Sequence, residues 1–266
     1  AQDVEADDIQ SFVRTMAQNS KSVSTQRRRL AALRGFYDWL IEETIVSHNP
    51  ARHPQVRPIT PVNEPDSPST LSREDIESML TASRQSPQSG VRDQALILTI
   101  VYGALRRREV AALEVEHVRP LGRYWILDLD EVPDSNGYVR IPETVVEAID
   151  RVQDRYGITK GRLWRSVSNQ NRGVPMTPDA IYKVVRRVAR RAGLNSVSID
   201  SLRRSGLQLA LDGGADLSKV QAHGRFSNAA SAARLHDPEQ QSGALGDSAV
   251  EYIDLDVGDL LSEPRE

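Results

Sequence analysis

Cysteine is absent from the 266 residues. That excludes disulfides, thiolate metal centres, iron–sulfur clusters and a cysteine nucleophile. Lysine is scarce: Lys21, Lys160, Lys183 and Lys219 are four of the 34 basic residues, and the rest are arginine. Arginine is the better bidentate ligand for phosphate because its planar fork matches the anion. A GC-rich genome or a salt-loving host leaves the same bias. Long hydrophobic runs are missing too. The longest, Ala95 to Leu105, covers about half of the ~20 residues that a membrane-spanning helix needs. The first ten residues, AQDVEADDIQ, have neither the basic start nor the apolar core of a signal peptide. A cytoplasmic protein with no membrane partner is expected. No set of His, Asp and Glu has metal-ligand spacing and there is no glycine-rich nucleotide loop, so no metal or cofactor is expected.

What is present is a folded-protein composition, 39% hydrophobic and 27% charged, over a length that suits one large or two ordinary domains. The formal net charge of −3 conceals a pattern. Residues 1–12 carry −4 and residues 237–266 carry −8, which leaves +9 on the stretch between them. A basic interior with acidic ends fits a nucleic-acid partner.

Six of the fourteen prolines fall within residues 50–68. Such a run cannot sustain a helix and reads as a semi-extended linker. The expected organisation is therefore a helical domain over 1–52, a Pro-rich linker over 53–69, a larger domain over 70–236 and an acidic tail over 237–266. The tail reads either as a disordered solubilising segment or as one that docks on a basic face of its own chain or a neighbour.

In the front domain, Ile9, Phe12, Val13 and Met16 form one helical stripe. Ser22, Ser24 and Thr25 offer N-caps to a longer helix with Leu30, Leu33, Phe36, Tyr37, Leu40 and Ile41 inward. That helix also carries Arg27, Arg28, Arg29 and Arg34, four like charges with no acid among them, which points to a nearby anion. In the back domain, helices are expected at Ser72–Ala82, Asp93–Tyr102, Arg106–Leu113, Thr144–Tyr156, Pro178–Ala192, Ser201–Asp212 and Leu217–His223. Tyr124–Leu129 and Tyr138–Ile141 read as a hairpin turning at Asn136-Gly137. The fold class is mainly α with one small β-sheet.

The order of these pieces carries more than any one of them. SVSTQRRRLAALRGFYDWLIEETIVSHNPAR (Ser22–Arg52) resembles the core-binding domain of the tyrosine recombinases, the phage-integrase family. GALRRREVAAL around Arg106 and Glu109, and LRRSGLQLALDGGADLSKVQ around Arg203, resemble two blocks of that family's catalytic domain, in the family's order. The resemblance implies a two-domain protein that clamps duplex DNA. A tyrosine attacks a phosphodiester, two arginines stabilise the pentavalent transition state, and a hairpin lysine protonates the leaving oxygen.

Carried over residue by residue, the resemblance assigns Arg106 and Arg203 to the two clamp arginines. Asp200 and Arg225 stand where the family has histidine-type residues. The hairpin EVPDSNGYVRIPE holds no lysine, and its one base, Arg140, is too weak an acid to supply a proton near neutrality. The nucleophile position falls on Leu235 or Arg234, and no tyrosine lies between Tyr182 and Tyr252. Asp200 reads as an N-cap for the helix at Ser201.

The expected function is duplex-DNA binding without strand cleavage, in a regulatory or architectural role, as a self-associating protein or as the partner of an active recombinase on the nucleoid. The expected contacts are Arg27, Arg28, Arg34, Arg106, Lys183, Arg187, Arg203, Arg204 and Arg225. Two alternatives stand beside it. One is an active recombinase with a displaced nucleophile such as Tyr252, donated by a neighbouring subunit. The other is a protein-interaction scaffold that has lost DNA.

Overall fold

A computed structural model describes residues 3–59, 70–132, 135, 137–225 and 248–257. The chain divides into two compact units, residues 1–67 and 68–266.

The first unit is built on α1 (Ala6–Gln18) and α2 (Val23–Glu42). Ser22 caps α2 by accepting the Thr25 N–H. Ile9, Val13 and Met16 of α1 pack with Leu30, Tyr37 and Leu40 of α2, and Ala51 and Val56 close the cluster. Gln26, fully buried on α2, donates to the carbonyls of Lys21 and Ile59 and accepts the Ile59 N–H. Residues 53–59 are thereby held on the helices, and residues 60–69 of the expected linker lie outside the described residues. Three aromatic and aliphatic positions differ from expectation. Phe12, Phe36 and Ile41 are exposed, because α1 and α2 form a two-helix layer whose stripe is narrower than the run of apolar residues.

The second unit surrounds α4 (Gly90–Gly103), whose residues from Arg92 onward are all buried. Its other helices are α3 (Arg73–Ser83), α5 (Arg107–Ala112), α6 (Glu143–Tyr156), α7 (Pro178–Arg191), α8 (Ile199–Asp212) and α9 (Leu217–His223). The sheet is antiparallel in the order β1 (Val118–Leu121), β2 (Tyr124–Asp128), β3 (Tyr138–Ile141). β1 goes beyond the expected hairpin. Pro120 marks it as an edge strand, where a missing N–H is tolerated. The expected turn residue Asn136 lies outside the described residues.

Helix α8 corrects one expectation. It starts at Ile199, and Ser198 rather than Asp200 is its cap, accepting the Ser201 N–H. Asp200 sits in the first turn, where a carboxylate suits the helix dipole, and pairs with Arg204 at 3.0 Å.

Residues 248–257 of the acidic tail pack on this unit. Ala249, Val250, Ile253, Leu255 and Val257 join its core. Asp254 pairs with Arg73, and Glu251 with Arg140, at 2.7 Å each.

Two close contacts of α4 fix the positions of α8 and α9. A Cβ on Gly206 of α8 would lie 2.1 Å from the Val101 carbonyl oxygen, so only glycine lets the two helices approach this closely. His223, buried at the end of α9, has Nε2 2.7 Å from the Tyr102 carbonyl oxygen.

Gly206→Ala is therefore expected to destabilise the protein by about 1–3 kcal/mol in urea unfolding, despite the better helix propensity of alanine. His223 generates a pH prediction. Burial first, then the charge of Arg225, hold its imidazole down to about 4 against the pull of the Tyr102 carbonyl. The unfolded chain takes up a proton near pH 6.5 that the folded chain refuses. Stability from this group is intact above pH 6.5 and falls on acidification toward pH 4, with a limiting slope of about 1.4 kcal/mol per pH unit. His223→Gln should remove that slope in unfolding curves measured from pH 7 to 4.5.

Candidate nucleic-acid interface

Three chain segments converge where α4 ends. Ala104 terminates α4 in a left-handed conformation (φ +44°), which turns the chain so that Arg106 and Glu109 come directly after it, at the start of α5. α8 delivers Arg203, and the turn after α9 delivers Gly224 and Arg225, the latter also left-handed at φ +49°.

Glu109 is the hub. Its carboxylate is almost fully buried and accepts from Arg106 Nη1 at 3.0 Å, Arg225 Nη2 at 2.6 Å, Ser135 Oγ at 2.7 Å and the Arg106 backbone N–H. Burial alone would raise its pKa. The charge of Arg225, the Arg106 N–H, Ser135 and the Arg106 guanidinium overcome that and hold it below the usual carboxylate value. Burial lowers Arg203, and the nearby charge of Arg106 adds to this. Burial also brings Arg225 down to about 10. Arg106 and Arg225 thus share one buried carboxylate, and Arg203 stands beside them with Asp200 4.0 Å away, which leaves a net positive charge in a partly desolvated site. An excess of this kind favours an anion.

The backbone fixes the donors. Arg203 Nε donates to the Ala104 carbonyl at 2.9 Å and its Nη2 to the Gly224 carbonyl. Arg106 Nη2 donates to the Arg225 carbonyl at 2.9 Å. Arg225 points inward, to Glu109 and to the Gly103 and Ala104 carbonyls at 3.3 and 3.1 Å. A guanidinium carries five N–H bonds, so Arg106 keeps donors for a further acceptor, with the charge of Arg203 beside it. Arg106, with its side chain 43% exposed, is the more accessible of the two.

These arginines open on a cavity of about 390 Å³ lined by Arg106, Arg107, Tyr182, Ser198, Ile199, Asp200 and Arg203. Asp200 stands at its edge, 4.0 Å from Arg203 and paired with Arg204. Of the expected site residues, Arg106, Arg203, Arg225, Asp200 and Arg204 are brought together. Lys183 is exposed on α7. Arg187, on the same helix, is tied to the fully buried Asp93 at 2.8 Å and has a structural partner as well as an exposed face. Arg27 and Arg28 are exposed on the first unit, whereas Arg34 is half-buried and donates to the Ala51 carbonyl. Leu235 and Arg234 lie outside the described residues. Arg107, Tyr182, Ser198 and Ser135 stand outside the expected set. Apart from the position of Arg107 beside Arg106, no sequence signal marks them, because loop and helix ends far apart in the chain create the cavity.

Two residues that bear on cleavage can also be placed. Arg140, the hairpin base, lies 4.0 Å over the ring of Tyr124 and pairs with Glu251. The Tyr252 hydroxyl accepts from Lys219 Nζ at 3.1 Å and takes no part in lining the arginine cavity. Among the described residues, no group of His, Asp and Glu could hold a metal ion, and no helix is long and apolar enough to cross a membrane.

Comparison with known proteins agrees with this architecture. Residues 69–240 match the phage integrase family and residues 1–44 match the phage integrase N-terminal SAM-like domain. Tyrosine recombinase XerD of Listeria monocytogenes is 25% identical over 222 residues, covering 82% of this chain and 73% of XerD. Tyrosine recombinase XerC of Roseiflexus castenholzii is 26% identical over 229 residues, covering 82% and 69%. Among solved structures, the Tn1549 transposon integrase in complex with a circular intermediate DNA superposes with a TM-score of 0.68 at 16% identity, covering 92% of this chain and 86% of that one. The XerH site-specific recombinase bound to its difH substrate superposes at 0.65 with 17% identity, covering 92% and 73%. With both domains matched in order and the arginine cluster assembled in the second, the chain belongs to the phage integrase family of tyrosine recombinases.

Proposed function

We propose that this chain binds duplex DNA through the arginine cluster and does not cut it. The reading is supported by the arginine cluster together with the lack of a tyrosine where the family resemblance puts the nucleophile. Arg106 keeps donors for an acceptor, and the more buried Arg203 and Arg225 stand with it in a site of net positive charge. No tyrosine occurs between Tyr182 and Tyr252, and Tyr252 is held by Lys219. Cleavage by a phenol needs the oxygen, the phosphorus and the leaving group nearly in line, and a carbon side chain such as Leu235 has no electron pair to offer. The hairpin EVPDSNGYVRIPE also holds no lysine to act as general acid, and its arginine does not release a proton near neutrality.

The phosphate backbone would supply most of the affinity, with exposed Arg27, Arg28 and Lys183 adding sequence-independent contacts. The Tn1549 integrase and XerH structures contain DNA, and a lambda integrase dimer is bound to a core site, which supports both the ligand and self-association on it. A regulatory or architectural role on the nucleoid, alone or beside an active recombinase, is the consequence of binding without cleavage.

Fluorescence titration of labelled duplex tests this. Affinity should fall steeply with salt. Arg106→Ala and Arg203→Ala should each weaken binding by about 1–3 kcal/mol, the worth of a charged hydrogen bond, with little change in sequence preference. Parental affinity in both variants would contradict the phosphate site.

A further inference from the structure

Beside the clamp arginines, the same cavity has a second wall made by Arg107, Tyr182 and Ser198. The Arg107 guanidinium lies 5.3 Å from the centre of the Tyr182 ring, donates from Nε to the Pro178 carbonyl and pairs with Asp179. Arg186, one turn along α7, lies 5.9 Å from the same ring and donates to the Tyr182 hydroxyl at 3.3 Å. The phenol is thus held by two cations. With its oxygen already accepting from Arg186, its own hydrogen can be donated to an acceptor. A cavity of about 390 Å³ is also far larger than one phosphate group requires.

We propose that Arg107 and the Tyr182 hydroxyl form a second phosphate subsite, which takes the phosphodiester next to the one held by Arg106 and Arg203 on the same strand. The inference rests on the DNA-binding reading and deepens it. Tyr182 is a positioning residue here: it sets the register of the strand in the clamp, and its hydrogen bond goes to a non-bridging oxygen. Arg107, whose Nε and Nη2 are engaged by Pro178 and Asp179 of α7, has Nη1 left to donate to the same phosphate.

Tyr182→Phe in the full chain keeps the ring against its two cations and removes the hydroxyl together with the bond it accepts from Arg186. It is expected to weaken duplex binding roughly 10-fold, the equivalent of one hydrogen bond to a charged group. Because the phenol is neutral, the slope of log affinity against log salt should stay that of the parent. Arg203→Ala should instead lose about 0.9 of that slope. A scan of duplexes carrying one neutral methylphosphonate each should find a single linkage at which parent and Tyr182→Phe bind alike, next to the linkage that silences Arg203→Ala. Parental affinity of Tyr182→Phe on unmodified duplex, with Arg203→Ala weakened, would overturn the subsite and leave the clamp standing. Parental affinity of both would overturn the DNA-binding reading itself.

Discussion

The site depends on one buried carboxylate. Glu109 neutralises part of the charge on Arg106 and Arg225 and receives the Arg106 N–H, so it fixes both the start of α5 and the direction of two guanidiniums. A carboxylate taken out of water is costly unless several donors surround it; here four groups do, and they come from the start of α5, the Ser135 loop and the turn after α9. The arrangement leaves more positive than negative charge in a place with limited access to water. A charge balance of that kind favours a bound anion.

The second constraint is packing. Gly206 lets α8 come within contact of the α4 backbone, and this close approach places Arg203 against the Ala104 carbonyl. Ala104, in turn, occupies a left-handed conformation that costs an L-residue about 1–2 kcal/mol, and its carbonyl receives both Arg203 and Arg225. Local strain is held by the donors it serves.

Much of this is legible in the residues. Ser72, which caps α3 by accepting the Asp75 N–H, and Pro178, which opens α7, are local chemical signals, and both helices start where those residues stand. Arg106 and Arg203 are marked by their surroundings in two specific blocks, and they do meet. The departures are decided by tertiary context. Ser198 and Asp200 are both good caps, and only the path of the chain into α8 selects Ser198. β1 carries a proline and an arginine and is a strand because β2 offers it an edge. Phe36 and Trp39 lie side by side and exposed on α2, and periodicity cannot say how many helices will cover a stripe. The tail, which composition leaves open between order and disorder, is fixed over 248–257 by five apolar residues among its acids. The cavity wall of Arg107 and Tyr182 comes from residues 75 positions apart and has no counterpart in local sequence.

A grip without a cut is the central claim. Its most direct test is a duplex selected by this protein from random DNA, prepared with a nick that traps any covalent intermediate, incubated with the full chain and run on a denaturing gel. Retained binding and no protein-linked DNA at any protein concentration are the predicted result. A denaturation-resistant adduct that disappears in Tyr252→Phe or Tyr182→Phe would contradict it.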